Sequence, residues 1–324
     1  MGRFKVDDYL LSRGESGEDK KETRVKRCVS LRELTRLLGR MSATSQAVLP
    51  APLCYRQLQM LKNHVWSQTA SFEPEVALTD GAIQELHWWM QHLEKWNGKP
   101  VLPSKPDLVL ETDASLLGWG ARCEEIPTGG LWSLEERNQL HINCLELLWG
   151  ALAVKTFAKN LTGVHIHLKM DNTTAISYIN RMGGTRSYTL SEMACNFWSW
   201  CLERGIYLSA EHLLGIYNVT ADVESRTLRS SLEWELNMNV LALIFSQLGR
   251  CEVDLFATRL NHKLLQYVSW RPDPFAIYIA TNAFQVSWTN IKGYAFPTFA
   301  MIWKCLQKVI QDKGHIILIA PVYS

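Results

Sequence analysis

The chain has 324 residues, 47% of them hydrophobic and 20% charged, with 34 basic against 32 acidic side chains and a net charge of +2. That length accommodates two or three domains with proper cores, and the near-neutral balance excludes nucleic-acid binding driven by bulk charge, so any such contact must rest on local patches. No apolar run approaches the ~18 residues of a membrane helix, the amino terminus lacks an apolar signal core, and the eight cysteines include no Cys-x-x-Cys pair. An intracellular, reducing setting in cytoplasm or nucleus is therefore expected, with no membrane partner.

Residues 1–29 are polar and charged, and a flexible leader is predicted there. Ser30-Leu31-Arg32-Glu33 has the spacing of a capping box. It opens a predicted helix to about residue 42, with Leu34, Leu37 and Leu38 on one face. Pro50 and Pro52 punctuate the chain, and residues 53–66 read as a second helix. A third is predicted over 80–96, where Ile83, Leu86, Trp89, Met90, Leu93 and Trp96 form one apolar stripe. Residues 30–106 thus make a helical segment.

Strands are predicted next at 107–113, 116–123 and 129–133, as an antiparallel meander. A helix follows at 143–159, a strand at 163–169 and helices at 172–182 and 187–204, separated by Gly183-Gly184. A last strand at 206–212 precedes a helix from about 220. This order predicts an α/β domain over 107–229, a mixed five-stranded sheet with helices on both faces. Residues 230–324 alternate strand and helix patterns again, around 253–258, around Ile302, Leu306 and Val309, and at 316–321. A second, small α/β unit is expected, burying Trp270, Trp288 and Trp303 in whole or part.

Four acids in this frame sit at element ends. Asp113 closes the apolar run Leu108-Val109-Leu110. Glu146 falls in the first turns of a helix. Asp171 ends the alternating run 164–170, and Asp222 opens the helix after the last strand. Strand ends and helix starts are where α/β sheets gather function. Taken singly, each acid reads as a cap or a turn former. Gathered together they would repel one another unless cations sat among them, which is the arrangement of two divalent metals clamping a phosphodiester. No Ser/His/Asp arrangement for covalent catalysis is visible.

The order and context of these acids resemble a type 1 ribonuclease H, and among these the ribonuclease H of DIRS-type retrotransposon polyproteins. The residues carrying the resemblance are the stretch from Thr112-Asp113-Ala114-Ser115 to Ala121, Ile142-Asn143 to Leu148, Asp171-Asn172, Tyr178-Ile179-Asn180, Gly183 to Ser187, and His212 to Arg226. The last is similar to the pattern His-x-Pro-Gly-x-x-Asn-x-x-Ala-Asp-x-x-Ser-Arg, with Leu214 in place of the proline. The resemblance implies a ribonuclease H-like fold and an endonuclease acting on the RNA strand of an RNA–DNA hybrid. It also implies two Mg²⁺ ions, with Mn²⁺ as the substitute.

Asp113 is expected to bridge both ions, Glu146 and Asp171 to complete one and Asp222 the other. His212 is expected to carry protons or help product leave, since imidazole titrates near neutrality. Asn143 and Ser115 are expected against the hybrid, where telling RNA from DNA requires the 2′-OH, and Asn218 and Arg226 beside its backbone.

Upstream, Gln46 to Pro52 and Trp96-Asn97-Gly98-Lys99 resemble the connection that follows such a polymerase, so a reverse transcriptase palm supplied by another chain is the implied partner. Downstream, residues 230–324 resemble part of a DNA adenine methyltransferase. There Phe296-Pro297-Thr298-Phe299 stands where Asp/Asn-Pro-Pro-Tyr/Phe is the rule, and without the polar acceptor methyl transfer is not expected. A catalytically inactive nucleic-acid-binding remnant of such a polyprotein is the competing reading.

Overall fold

The computed structural model describes residues 11–12, 24–25, 27–96, 98, 105–226, 234–276 and 282–321. Most of the leader expected over 1–29 lies outside them, as do Asn97 and Lys99 of the connection-like segment. Two short strands in that leader, β1 (Leu11–Ser12) and β2 (Arg24–Val25), pair antiparallel. The chain divides into two compact units, one comprising residues 1–105 with 177–200 and the other 106–176 with 201–324.

The first unit is helical. The capping box is formed: Ser30 Oγ accepts from the Glu33 N–H, and Glu33 accepts from the Ser30 N–H. A cap of this kind contributes about 1 kcal/mol, and it starts α1 (Leu31–Thr44), which buries Leu31, Leu34, Leu37, Leu38 and Met41. Strands β3 (Cys28–Ser30) and β4 (Glu75–Ala77) pair antiparallel beside it.

The second helix begins later than its apolar pattern predicts. The prolines shape Ala51–Tyr55 into a 3₁₀ turn, and α2 runs over Arg56–Thr69. Tyr55 gives α2 no side-chain cap. Instead Glu85 of α3 (Asp80–His92) accepts from the N–H groups of Gln57 and Leu58, at 2.8 and 2.9 Å. A carboxylate on the first amides of a helix satisfies donors that the helix itself leaves unpaired. Burial nonetheless pushes the Glu85 carboxyl up to about 7. Within the same unit, Arg56 donates to the carbonyls of Arg181 and Met182, closing the turn before Gly183.

The second unit holds two sheets. The larger is built from β5 (Leu108–Ala114), β6 (Gly118–Cys123), β7 (Ile126–Leu131), β8 (His165–Met170) and β9 (Tyr207–His212), in the order β7-β6-β5-β8-β9. The first three are antiparallel, while β8 runs parallel to β5 and β9 parallel to β8. This is the mixed five-stranded sheet expected from the sequence, a ribonuclease H-like fold. Helix α4 (Leu134–Gln139) was not expected, although Ser133 and Glu136 form a second capping box in front of it. Helices α5 (Ile142–Phe157) and α8 (Val219–Arg226) belong to this unit, α6 (Thr173–Asn180) crosses its boundary, and α7 (Tyr188–Leu202) lies almost wholly in the first unit.

Side-chain alternation along β6 sorts two helices onto opposite faces. Trp119 stacks on Trp149 of α5 with ring centroids 3.6 Å apart, and the Trp149 indole donates to the Gly120 carbonyl. On the other face Gly118 and Gly120 lie under α8. A Cβ at Gly120 would sit 2.1 Å from the Ala221 carbonyl oxygen, and one at Gly129 would sit 2.9 Å from the Glu224 Cβ. Only glycine lets the helix come this close to the sheet.

The smaller sheet is all parallel, in the order β11-β10-β12-β13, from β10 (Val253–Asp254), β11 (Gln266–Tyr267), β12 (Lys292–Ala295) and β13 (His315–Leu318). Helices α9 (Met238–Leu248) and α10 (Ile302–Asp312) accompany it. Its core gathers Val253, Leu255, Val268, Trp288, Ala295 and Cys305. The expectation for its tryptophans needs correction. Trp288 is fully buried, but Trp270 is about half-exposed and Trp303 is 67% exposed. The α10 helix is strongly amphipathic and Trp303 stands on its outward side, so a large ring there did not mean core. Among the described residues, no helix is long and apolar enough to cross a membrane.

Candidate metal centre

Two neighbouring parallel strands and two helices bring the acids together. The register sets Glu111 of β5 beside Lys169 of β8; Asp113 lies two residues further along β5, and Asp171 directly follows the end of β8. Both acids therefore stand at strand carboxyl ends, where a parallel sheet opens its crevice. Helix α5 packs on β5 and delivers Glu146 from its second turn. One carboxylate oxygen each from Asp113, Glu146 and Asp171 lie within 4.8 Å of one another. Asp222, on α8, is not one of this close group, but its charge reaches Asp113 and raises that carboxyl.

The electrostatics are those of a cation site. Glu146 is 3% and Asp113 6% exposed. Burial first, then the charges of Asp171 and Asp113, push Glu146 up to about 9. Asp113 is raised by burial and then by Asp171 and Asp222, while the Ser225 hydroxyl works in the opposite direction. Buried carboxylates held so close are neutral unless positive charge joins them. The buried Oε2 of Glu146 has no hydrogen-bond partner. An acceptor-only oxygen set around an orphaned buried carboxylate fits a hard divalent cation.

The other expected residues are distributed as follows. His212 ends β9 beside Met170 and is exposed at the rim. Asn143 Oδ1 accepts from Asn172 Nδ2 at 2.9 Å, which joins the α5 start to the residue after Asp171. Ser115 closes the β5–β6 turn: its hydroxyl donates to the Ser225 carbonyl at 2.8 Å and accepts from the Leu117 and Gly118 N–H groups. Asn218 is fully buried, and its amide donates to the Thr112 carbonyl at 2.9 Å. That bond ties the loop before α8 to the residue preceding Asp113. Arg226 is exposed and pairs with Asp222 at 2.6 Å.

Ser225 was given no role from the sequence, yet its hydroxyl donates to Asp113 Oδ2 at 2.5 Å. The signal was there in the spacing. Asp222 and Ser225 are three apart on a helix, hence on one face, and the paired glycines of β6 and β7 bring that face onto the sheet.

No protein-family model matches the chain, and no curated protein does. Among solved structures it is similar to the LC11 ribonuclease H1 in complex with an RNA/DNA hybrid, at 15% identity and a TM-score of 0.32, over 36% of this chain and 93% of that one. It is similar too to ribonuclease H1 from Halobacterium salinarum, at 16% identity and 0.30, over 36% and 92%. A foamy viral protease–reverse transcriptase in complex with RNA/DNA hybrid aligns at 13% identity and 0.23, over 57% of this chain and only 25% of that one. At these values the candidate centre stands on its own geometry.

Proposed function

We propose that the chain is a metal-dependent endonuclease that cleaves the RNA strand of RNA–DNA hybrids, as part of a retrotransposon-derived reverse transcription machinery. The convergence of Asp113, Glu146 and Asp171 within 4.8 Å, with Asp222 on α8 near enough for its charge to act on Asp113, carries this reading. Asp113, Glu146 and Asp171 would hold one divalent cation, and Asp113 with Asp222 the second, with Mg²⁺ as the resident ion and Mn²⁺ as the substitute. Such ions, when bound, provide a nucleophile at neutral pH and offset the charge that develops on the phosphate and leaving oxygen.

The chain's own groups do the rest. Ser225 fixes the Asp113 carboxylate by its hydroxyl. Asn218 fixes the strand behind it through the Thr112 carbonyl. Asn143, whose carboxamide oxygen is held by Asn172, keeps its N–H groups to donate to a 2′-OH, the mark that separates RNA from DNA. The exposed imidazole of His212 carries protons between the rim and solvent.

The test is incubation of the purified chain with a hybrid labelled on either strand, with Mg²⁺ and with chelator. Cleavage confined to the RNA strand and dependent on Mg²⁺ is expected. Retained binding without cleavage of either strand would favour the inactive-remnant reading instead.

A further inference from the structure

Helix α8 brings two groups to the metal centre, Asp222 and Ser225, and between them in sequence stands Glu224, which the nuclease reading leaves without a task. Its carboxylate is largely buried, with a side chain 10% exposed, and its Oε2 lies 2.5 Å from Nη1 of Arg271, itself 17% exposed. On the sheet side Glu224 meets glycine. Positions Gly120 and Gly129 lie within 3 Å of its Cβ, measured from where their own Cβ would be. A glycine floor allows close approach but offers no side chain to interlock with the helix. The helix has only eight residues, too few to hold its own geometry without tertiary partners. Its orientation therefore rests on polar contacts: Ser115 and Asp113 hold it at Ser225, and a further grip reaches it at Glu224.

That grip comes from the loop after β11, which is itself anchored to the large sheet. Arg259 makes a two-pronged ion pair with Glu136 at 2.7 and 3.0 Å. The buried Thr128 hydroxyl of β7 donates to the Pro272 carbonyl at 2.7 Å. Asp273 accepts from the Arg259 N–H at 3.0 Å and from the Tyr267 hydroxyl at 2.6 Å. Arg271 thus projects from a loop pinned on both sides, and it reaches the one helix that carries Asp222 and Ser225.

We infer that Arg271 is a positioning residue for the metal centre: through Glu224 it sets the orientation of α8 and so the approach of Asp222 and Ser225 to Asp113. The smaller α/β sheet is then a working part of the nuclease, its brace, and not a passenger beside it. The inference rests on the nuclease reading for its link to catalysis, but the holding of the helix can be measured without cleavage.

The experiment compares Arg271→Ala with Arg259→Ala in the full chain. Arg259 lies on the neighbouring loop between β10 and β11, and it bonds Asp273 through its backbone and Glu136 through its side chain, so loss of that side chain reports general loosening of the region. Amide hydrogen exchange over residues 219–226 is followed first. Arg271→Ala is expected to speed exchange there, while Arg259→Ala leaves it near the parent rate. The Mg²⁺ concentration giving half-maximal hybrid cleavage is followed second. It is expected to rise about tenfold in Arg271→Ala, as for loss of a residue that orients a metal ligand, with KM for the hybrid unchanged and activity recovered at high Mg²⁺. Arg259→Ala is expected to keep the parent midpoint.

Arg271→Lys, which keeps the cation, guards against simple misfolding and should retain slow exchange over 219–226. Unchanged exchange in Arg271→Ala, or equal acceleration in both alanine variants, would overturn the inference. A parent chain that cleaves no hybrid would sink the nuclease reading alone, since the exchange comparison still decides whether Arg271 holds the helix.

Discussion

The two sheets of the second unit each carry an aspartate at the carboxyl end of a strand that has a parallel neighbour, and the two aspartates lead different lives. Asp113, the last residue of β5 but one, faces two further carboxylates, and the Ser225 hydroxyl donates to it. Asp254 ends β10, equally buried, but its oxygens accept from the backbone N–H groups of Phe256 and Lys263, at 3.3 and 3.0 Å. Burial raises its carboxyl to about 6, against the pull of those bonds. It shapes the loop that follows. The crevice beside it, a cavity of about 610 Å³ between the ends of β10 and β12, is lined by rings such as Phe256, Phe284, Phe296 and Phe299. A strand-end acid thus signals metal chemistry only when its oxygens are spared from backbone work and other acids converge on it.

The largest test of that contrast is charge removal at the convergent acid. Asp113→Asn should reduce Mg²⁺-dependent hybrid cleavage below detection while the fold persists, because an amide carries no charge to hold two cations. His212→Ala should slow turnover far less, since water at an exposed rim can carry protons in place of the imidazole. The comparison is made by initial rates at saturating Mg²⁺, with the circular dichroism spectrum confirming the fold. Equal losses in the two variants would mean that His212 belongs among the metal-holding groups.

A smaller effect, on stability, follows from crowding the acids. Glu146 has its carboxyl raised from an ordinary 4.5 to about 9, so the folded chain without metal prefers it protonated. The unfolded chain ionises it at the lower value. Stability from this group is therefore complete below about 4.5 and is lost as pH rises through about 9, the direction required when the folded state binds more protons. Glu146→Gln should flatten that decline in thermal melts recorded in chelator. A divalent cation should oppose it by taking the proton's place, so that binding releases protons and tightens as pH rises. A melt in which the parent and Glu146→Gln fall in parallel across this range would show that the acids are not crowded as described.

How much of this could be read from the sequence depends on the distance over which each feature is encoded. The sheet from residue 108 to 123 was legible because alternation and apolar runs are local, and Asp113 and Asp171 were found because strand ends are local too. Strand β7 was placed three residues late, at 129–133, where the fold has it over Ile126–Leu131. Two glycines are residues of this strand: Gly129 makes room for Glu224, and Gly130 makes room for the Trp119 ring. Glu85 was invisible for a related reason. A stripe reading follows the apolar residues of α3 and passes over the acid between them, whose task is set by a helix 28 residues away in sequence. Ser225 needed the approach of α8 to the sheet before its hydroxyl had anything to hold.

The smallest expected effect concerns the ring-lined crevice, and it is an absence of activity. Transfer of a methyl group to an adenine amino nitrogen needs an extruded base stacked on a ring and a polar group that holds the amino group. Phe299 lines the crevice and offers a ring. If the methyltransferase resemblance of the sequence holds, Phe296 would stand at the position of the polar acceptor and Thr298 at that of a proline. Asp254, at the end of β10, has its oxygens engaged by the loop backbone. Incubating the chain with DNA and labelled S-adenosylmethionine should therefore leave the DNA unlabelled, in the parent and in Phe299→Ala alike. Hybrid cleavage should also be the same in both, because Phe299 touches none of the four acids. Label that enters DNA with the parent chain and vanishes in Phe299→Ala would give the second crevice a chemistry of its own, carried by a group other than a strand-end acid.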